Sequence, residues 1–122
     1  GVGNIWDTVN NEFDWVAGGM QLGDEVVIRL DIDLTVNSNN DSFLVEIDLA
    51  HGHAGEIKLP LSYINVDITG TQKHIVIFRV FMGNTNVLNE PAKLSITANS
   101  TGDSYLLNGF YVSAEPTNPR FV

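Results

Sequence analysis

The chain has 122 residues, no cysteine, and 6 basic against 15 acidic side chains, for a formal net charge of −9. Those totals bound it to one domain, large enough to bury a core without covalent staples. They exclude disulfides, thiolate zinc sites and thiol catalysis. A pI near 4.4 repels phosphate backbones and anionic bilayers, which argues against nucleic-acid binding. No apolar run approaches the roughly 20 residues that a membrane-crossing helix needs, so membrane insertion is not expected.

Gly1-Val2-Gly3, in place of an initiating methionine, reads as a cut end or a tag remnant, and the chain as the C-terminal piece of a longer protein. Residues 1–12 carry Ile5 and Trp6 amid polar letters and are read as an N-terminal extension, with a helical turn over Asp7 to Asn11 open. The domain proper is expected over residues 13–122. Phe13 and Trp15 alternate with polar neighbours up to Gly18-Gly19, giving a short strand and a turn.

From Asp24 to Ala50 the letters follow period two. Val26, Ile28, Leu30, Ile32, Leu34 and Val36 alternate with Arg29, Asp31, Asp33 and Thr35, and after a polar run Phe43, Val45, Ile47 and Leu49 resume the alternation. If the polar run is a hairpin turn, Val36 faces Phe43 and Leu30 faces Leu49. A one-residue slip would set an apolar face against a polar one. The same register puts Asp33 against Glu46 and Asp31 against Asp48, gathering four carboxylates in one patch.

Farther on, Glu56 to Leu59 offers a short strand, and Pro60 indicates a strand end or a sheet edge. Ile64, Val66 and Ile68 alternate in another strand. Lys73 to Met82 is apolar on both faces, broken by Arg79, and reads as a central strand whose outer face a second subunit covers. Arg79 then calls for an acidic partner. Gly83 to Pro91 is a polar connection, Ala92 to Ala98 a strand, and Tyr105 to Ser113 the last one, with Gly109 marking a bulge or a close backbone approach. The expected architecture is all-β, an antiparallel jelly-roll-like β-sandwich of about eight strands, with no helix assigned.

Like charges facing each other on strands destabilise the pair, so the patch of Asp31, Asp33, Glu46 and Asp48 needs compensation. Three readings stay open: solvation, neutralisation by Arg or Lys from neighbouring strands or subunits, and a hard cation such as Ca²⁺ on carboxylate oxygens. The loop spacing of an EF-hand is absent. A glycosidase pair would also use facing carboxylates. His51-Gly52-His53 sets two imidazoles on one face if extended, with His74 as a third ligand for a transition metal, or else forms a solvated turn. No serine is tied by motif to a histidine, so nucleophilic catalysis has no support. Polar loops near Tyr63, Tyr105 and Tyr111 suit carbohydrate and are equally good turn formers.

The chain resembles the small β-sandwich domains of bacteriophage virion fibres and trimeric attachment proteins. The residues carrying the likeness are Phe13-Asp14-Trp15, Gly18-Gly19, Leu22-Gly23-Asp24, Val26-Val27-Ile28-Arg29, Arg79-Val80-Phe81-Met82-Gly83 and Asn108-Gly109-Phe110-Tyr111-Val112. The resemblance implies a jelly-roll-like sandwich, a homotrimer at a fibre tip in the virion, and binding to a host-surface glycan or receptor. It carries over no individual binding residue. The expected function is therefore non-enzymatic, structural and attachment-related; the rival is a carbohydrate-binding module of a secreted enzyme.

Overall fold

A computed structural model describes residues 4–37 and 41–115; the side chains of 110, 114 and 115 lie outside the description. The described strands are β1 (Trp6–Asp7), β2 (Glu12–Phe13), β3 (Glu25–Val36), β4 (Asp41–Leu49), β5 (Ile57–Val66), β6 (Gly70–Phe81), β7 (Lys93–Ala98) and β8 (Ser104–Glu115), with one helix, α1 (Thr85–Asn89). β1 and β2 form a small ribbon. The others make two three-stranded antiparallel sheets, in the orders β6-β3-β8 and β5-β4-β7. The protein is an antiparallel β-sandwich.

The alternation in β3 and β4 has the expected consequence for burial. Val26, Ile28, Leu30, Ile32, Leu34 and Val36 are buried, as are Phe43, Val45, Ile47 and Leu49, all in one core. Each such side chain contributes about 1.5–3 kcal/mol relative to full exposure. The expected hairpin between them does not form, however. β3 is flanked by β6 and β8, β4 by β5 and β7, and the two are the central strands of opposite sheets. Their apolar faces meet across the sandwich instead of side by side. Both arrangements bury the same residues, and only pairing to other strands chooses between them.

Winding follows from that choice. The first and last long strands pair (β3 with β8), as do β4 and β7, while β4 and β5 are consecutive strands that pair as a hairpin within their three-stranded sheet. β5 runs unbroken through Pro60 because it is an edge strand, and the pairing steps past Leu61 in a bulge where Glu46 meets Pro60 and Val45 meets Ser62. The expected break at Pro60 is therefore absent. A second bulge leaves Asn108 unpaired beside Gly109, at the glycine expected to mark one.

Three further expectations are revised. β6 is an edge strand, not a central one, since its only partner among the described residues is β3. Its inner face, Val76, Phe78 and Val80, is buried, whereas Ile75, Ile77 and Phe81 on the outer face are 58%, 64% and 58% exposed. Residues 4–12 do not extend away from the domain. Ile5 is buried in the core, the Trp6 ring packs edge-on against Phe13 at 4.9 Å, and Asp14 N–H donates to the Ile5 carbonyl. Asp7 to Asn11 forms a turn in which Asp7 Oδ1 accepts from Val9 and Asn10 N–H. Finally, the polar connection after Gly83 holds α1. Asn84 caps it by accepting from Val87 N–H at 2.9 Å, and Val87 is buried. A helix of five residues is too short to display a 3.6-residue period.

Candidate functional site

Separating β3 from β4 dissolves the four-carboxylate patch. Asp31 and Asp33 lie on the outer face of one sheet, and Glu46 and Asp48 on the outer face of the other. The four therefore cannot hold one Ca²⁺ ion between them, and no glycosidase pair spans β3 and β4. Compensation comes from basic residues within each sheet. Arg29 Nε lies 2.9 Å from Asp31 Oδ1, and Lys73, directly across from Asp33, brings its Nζ to 4.0 Å from Oδ1. Asp48 stands between Lys58 on β5 and Lys93 on β7. Arg79 meets its expected acidic partner in Glu25.

Every basic residue among the described residues stands on one of the two outer sheet faces. There Arg29, Lys58, Lys73, Arg79 and Lys93 match Glu25, Asp31, Asp33, Glu46 and Asp48 in number. The surplus acidity lies in turns and loops, at positions such as Asp14, Glu56, Asp67, Glu90 and Asp103, and on strands at Asp7, Glu12, Asp41 and Glu115, the last in register with Glu25. The five basic side chains of these faces are thus offset by acidic ones, on a chain of net charge −9.

The most concentrated polar chemistry lies at the turn from β4 to β5. Ala50, buried and at φ +52°, swings the chain into the left-handed region just past the end of β4, and Gly52 and Gly55 continue the turn at φ +75° and +82°. That path folds His51 back onto its own strand. His51 Nδ1 lies 2.6 Å from Asp48 Oδ2 and 3.4 Å from Glu56 Oε2, and Gly52 N–H donates to Glu56 Oε2 at 2.9 Å. One ligand-capable atom from each of Asp48, His51 and Glu56 falls within 4.8 Å of the others. Burial raises the Asp48 pKa, but hydrogen bonds to His51 and Glu56 and the charges of His51 and Lys58 outweigh it. The carboxyl is held below its ordinary range.

An open cavity of about 250 Å³ borders this cluster, lined by Glu46, Asp48, His51, Lys58, Lys93 and Ser95. An imidazole nitrogen with two carboxylate oxygens is a donor set that zinc accepts, while the two lysines oppose a cation there. Ser95 shares the cavity, yet no hydrogen bond among the described residues joins it to His51, so no nucleophile–base pair is assembled. The Asp48 to His51 spacing was the available signal for this cluster. It becomes informative only once β4 is known to end at Leu49.

The three histidines do not converge. His51 joins Asp48 and Glu56, His53 Nδ1 lies 3.2 Å from Glu90 Oε2, and His74 is on β6 opposite Ile32. The tyrosines sit on strands, Tyr63 on β5 and Tyr105 and Tyr111 on β8. Tyr63, 63% exposed, donates from its hydroxyl to Ser42 Oγ at 2.9 Å on the β5-β4-β7 face. Tyr111 lies under the Arg29 guanidinium, 5.4 Å from ring centroid to Cζ, on the other face.

The outer face of β6-β3-β8 is the apolar one. Ile75, Ile77 and Phe81 line β6, and Tyr111 follows from β8 across Arg29. No family model, curated protein or solved structure matches this chain.

Proposed function

We propose that this chain is a non-enzymatic, oligomeric β-sandwich domain of a virus-like particle, serving structure and host-surface attachment in the manner of bacteriophage fibre domains. The observation that carries the reading is the exposure of Ile75, Ile77 and Phe81, each more than half exposed on a sheet face whose basic side chains already have acidic partners. Apolar side chains of this size along one strand face, interrupted by the ion-paired Arg79, mark an association surface. The ion pairs on this face support it further, since copies of a chain with net charge −9 repel one another least where acidic groups are offset by basic ones. The fibre resemblance implies a homotrimer and a glycan or receptor as the partner.

The test is solution mass by light scattering behind size exclusion, at tens of micromolar chain. An oligomer, at a multiple of the 13.4 kDa chain mass, supports the reading. A monomer overturns it and turns attention to a carbohydrate-binding module, for which the exposed Tyr63 ring, fixed through Ser42, supplies the apolar plate.

A further inference from the structure

We propose that a second copy of this chain docks along the free edge of β6, the two β6 strands pairing antiparallel about a two-fold axis at Phe78. The two β6-β3-β8 sheets then become one continuous sheet. The inference rests on the oligomeric reading above, places the contact at the edge of the strand that carries the exposed apolar side chains, and names the partner.

An edge strand presents unpaired N–H and C=O groups, and proteins blunt such edges through the backbone, with proline, bulges or short length, or with charged side chains. Among the described residues, three of the four edges of this sandwich carry such a device. β5 has Pro60 and a bulge, β8 has the bulge at Gly109, and β7 is six residues long. β6 has none of these backbone devices: it spans twelve residues, contains no proline, and pairs with β3 without a register shift from Gly70 to Phe81, and its two charged side chains, Lys73 and Arg79, are engaged by Asp33 and Glu25 of β3. Its second half, Ile75-Val76-Ile77-Phe78-Arg79-Val80-Phe81, is apolar at every position but one. A long, regular, apolar edge of this kind is completed by another strand.

The charges choose both the occupant and the register. Arg79 and Lys73 are matched by Glu25 and Asp33 of their own protomer, so an equally acidic copy can approach this edge. A two-fold axis at Val76 would set Lys73 opposite Arg79 of the second copy, two like charges in direct contact. An axis at Ile77 would set Lys73 opposite Phe81 and His74 opposite Val80. With the axis at Phe78, Ile75 faces Phe81 of the second copy, Val76 faces Val80, and Ile77 faces the aliphatic stem of Arg79. Seven paired residues at about 3.3 Å each span about 23 Å of ladder, and the polar half, Gly70 to His74, is left outside it. The segment is complementary to itself, and every copy supplies it. This contact closes at two copies, in place of the three-fold assembly that the fibre resemblance implies.

The test compares the light-scattering mass of the unaltered protein with that of Ile77→Lys, Ile77→Glu and Tyr63→Lys. Ile77 and Tyr63 are comparably exposed, at 64% and 63%, so the substitutions leave the core intact, and a cooperative melt verifies this. The unaltered protein is expected at twice the 13.4 kDa chain mass. Ile77→Lys, which faces Arg79 of the second copy, weakens the dimer about tenfold more than Ile77→Glu, and Tyr63→Lys on the other sheet leaves it unchanged. Ile75→Lys is the second edge variant and dissociates the dimer as well. A trimer, or a dimer indifferent to both lysine substitutions on β6, overturns this inference while leaving the oligomeric reading in place. A monomeric unaltered protein overturns both.

Discussion

Asp33 and Glu46 separate the two ways in which β3 and β4 can bury their apolar faces, and a double-mutant cycle on Asp33→Asn and Glu46→Gln measures the difference. In a hairpin the two carboxylates would face each other at about 5 Å, and at the dielectric constant of water two unit charges that close repel by about 0.8 kcal/mol. In the sandwich they point away from opposite sheets. Sheets pack about 10 Å apart, and each side chain adds several ångströms outward, so the charges lie about 20 Å from one another. The bare interaction falls to about 0.2 kcal/mol at that distance, and a Debye length of about 8 Å at physiological salt leaves a few hundredths. Urea denaturation of the parent, the two single variants and the double variant should therefore give additive changes within about 0.3 kcal/mol. The cycle between Asp33 and Lys73, which are direct cross-strand neighbours, supplies the positive control at about 0.2–1 kcal/mol. A repulsive coupling of about 0.5 kcal/mol or more between Asp33 and Glu46 would refute the assignment of β3 and β4 to separate sheets.

Asp48→Asn should destabilise the protein by about 1.5 kcal/mol at pH 7, a fall of roughly 6 °C in melting temperature, because a charge-assisted hydrogen bond to His51 is lost. The Asp48 pKa is lowered in the folded protein, so its contribution is present above the unfolded value, near about 3.9, and disappears as pH falls through the lower folded value. Melts from pH 7 to pH 2 should show the gap to the parent closing in acid, and a gap that persists at pH 2 would rule out the ionised carboxylate as its source. Gly18→Ala would place a methyl 2.8 Å from Ile5 Cγ1 and should cost about 1–3 kcal/mol, read by urea unfolding. An unchanged midpoint would show that residues 4–12 do not pack on the domain.

The sequence by itself determined which side of each long strand is buried, because period-two alternation is a local property of the letters and burial follows it from Val26 to Val36 and from Phe43 to Leu49. Arg79's need for a carboxylate, the bulge at Gly109 and the edge position of Pro60 were legible for similarly local reasons: charge, backbone freedom and a missing N–H. Only the tertiary structure decided which strands are neighbours. An apolar face is satisfied equally by a partner beside it or by one across a 10 Å core, and a short polar run can serve as a hairpin turn or as a crossover between sheets. That degeneracy is why the four carboxylates seemed to converge, and why β6 read as central although the side chains on its outer face meet no described neighbour sheet. The cluster of Asp48, His51 and Glu56 was hidden for a related reason. It depends on the left-handed turn at Ala50, a conformation that packing imposes and that an alanine does not announce.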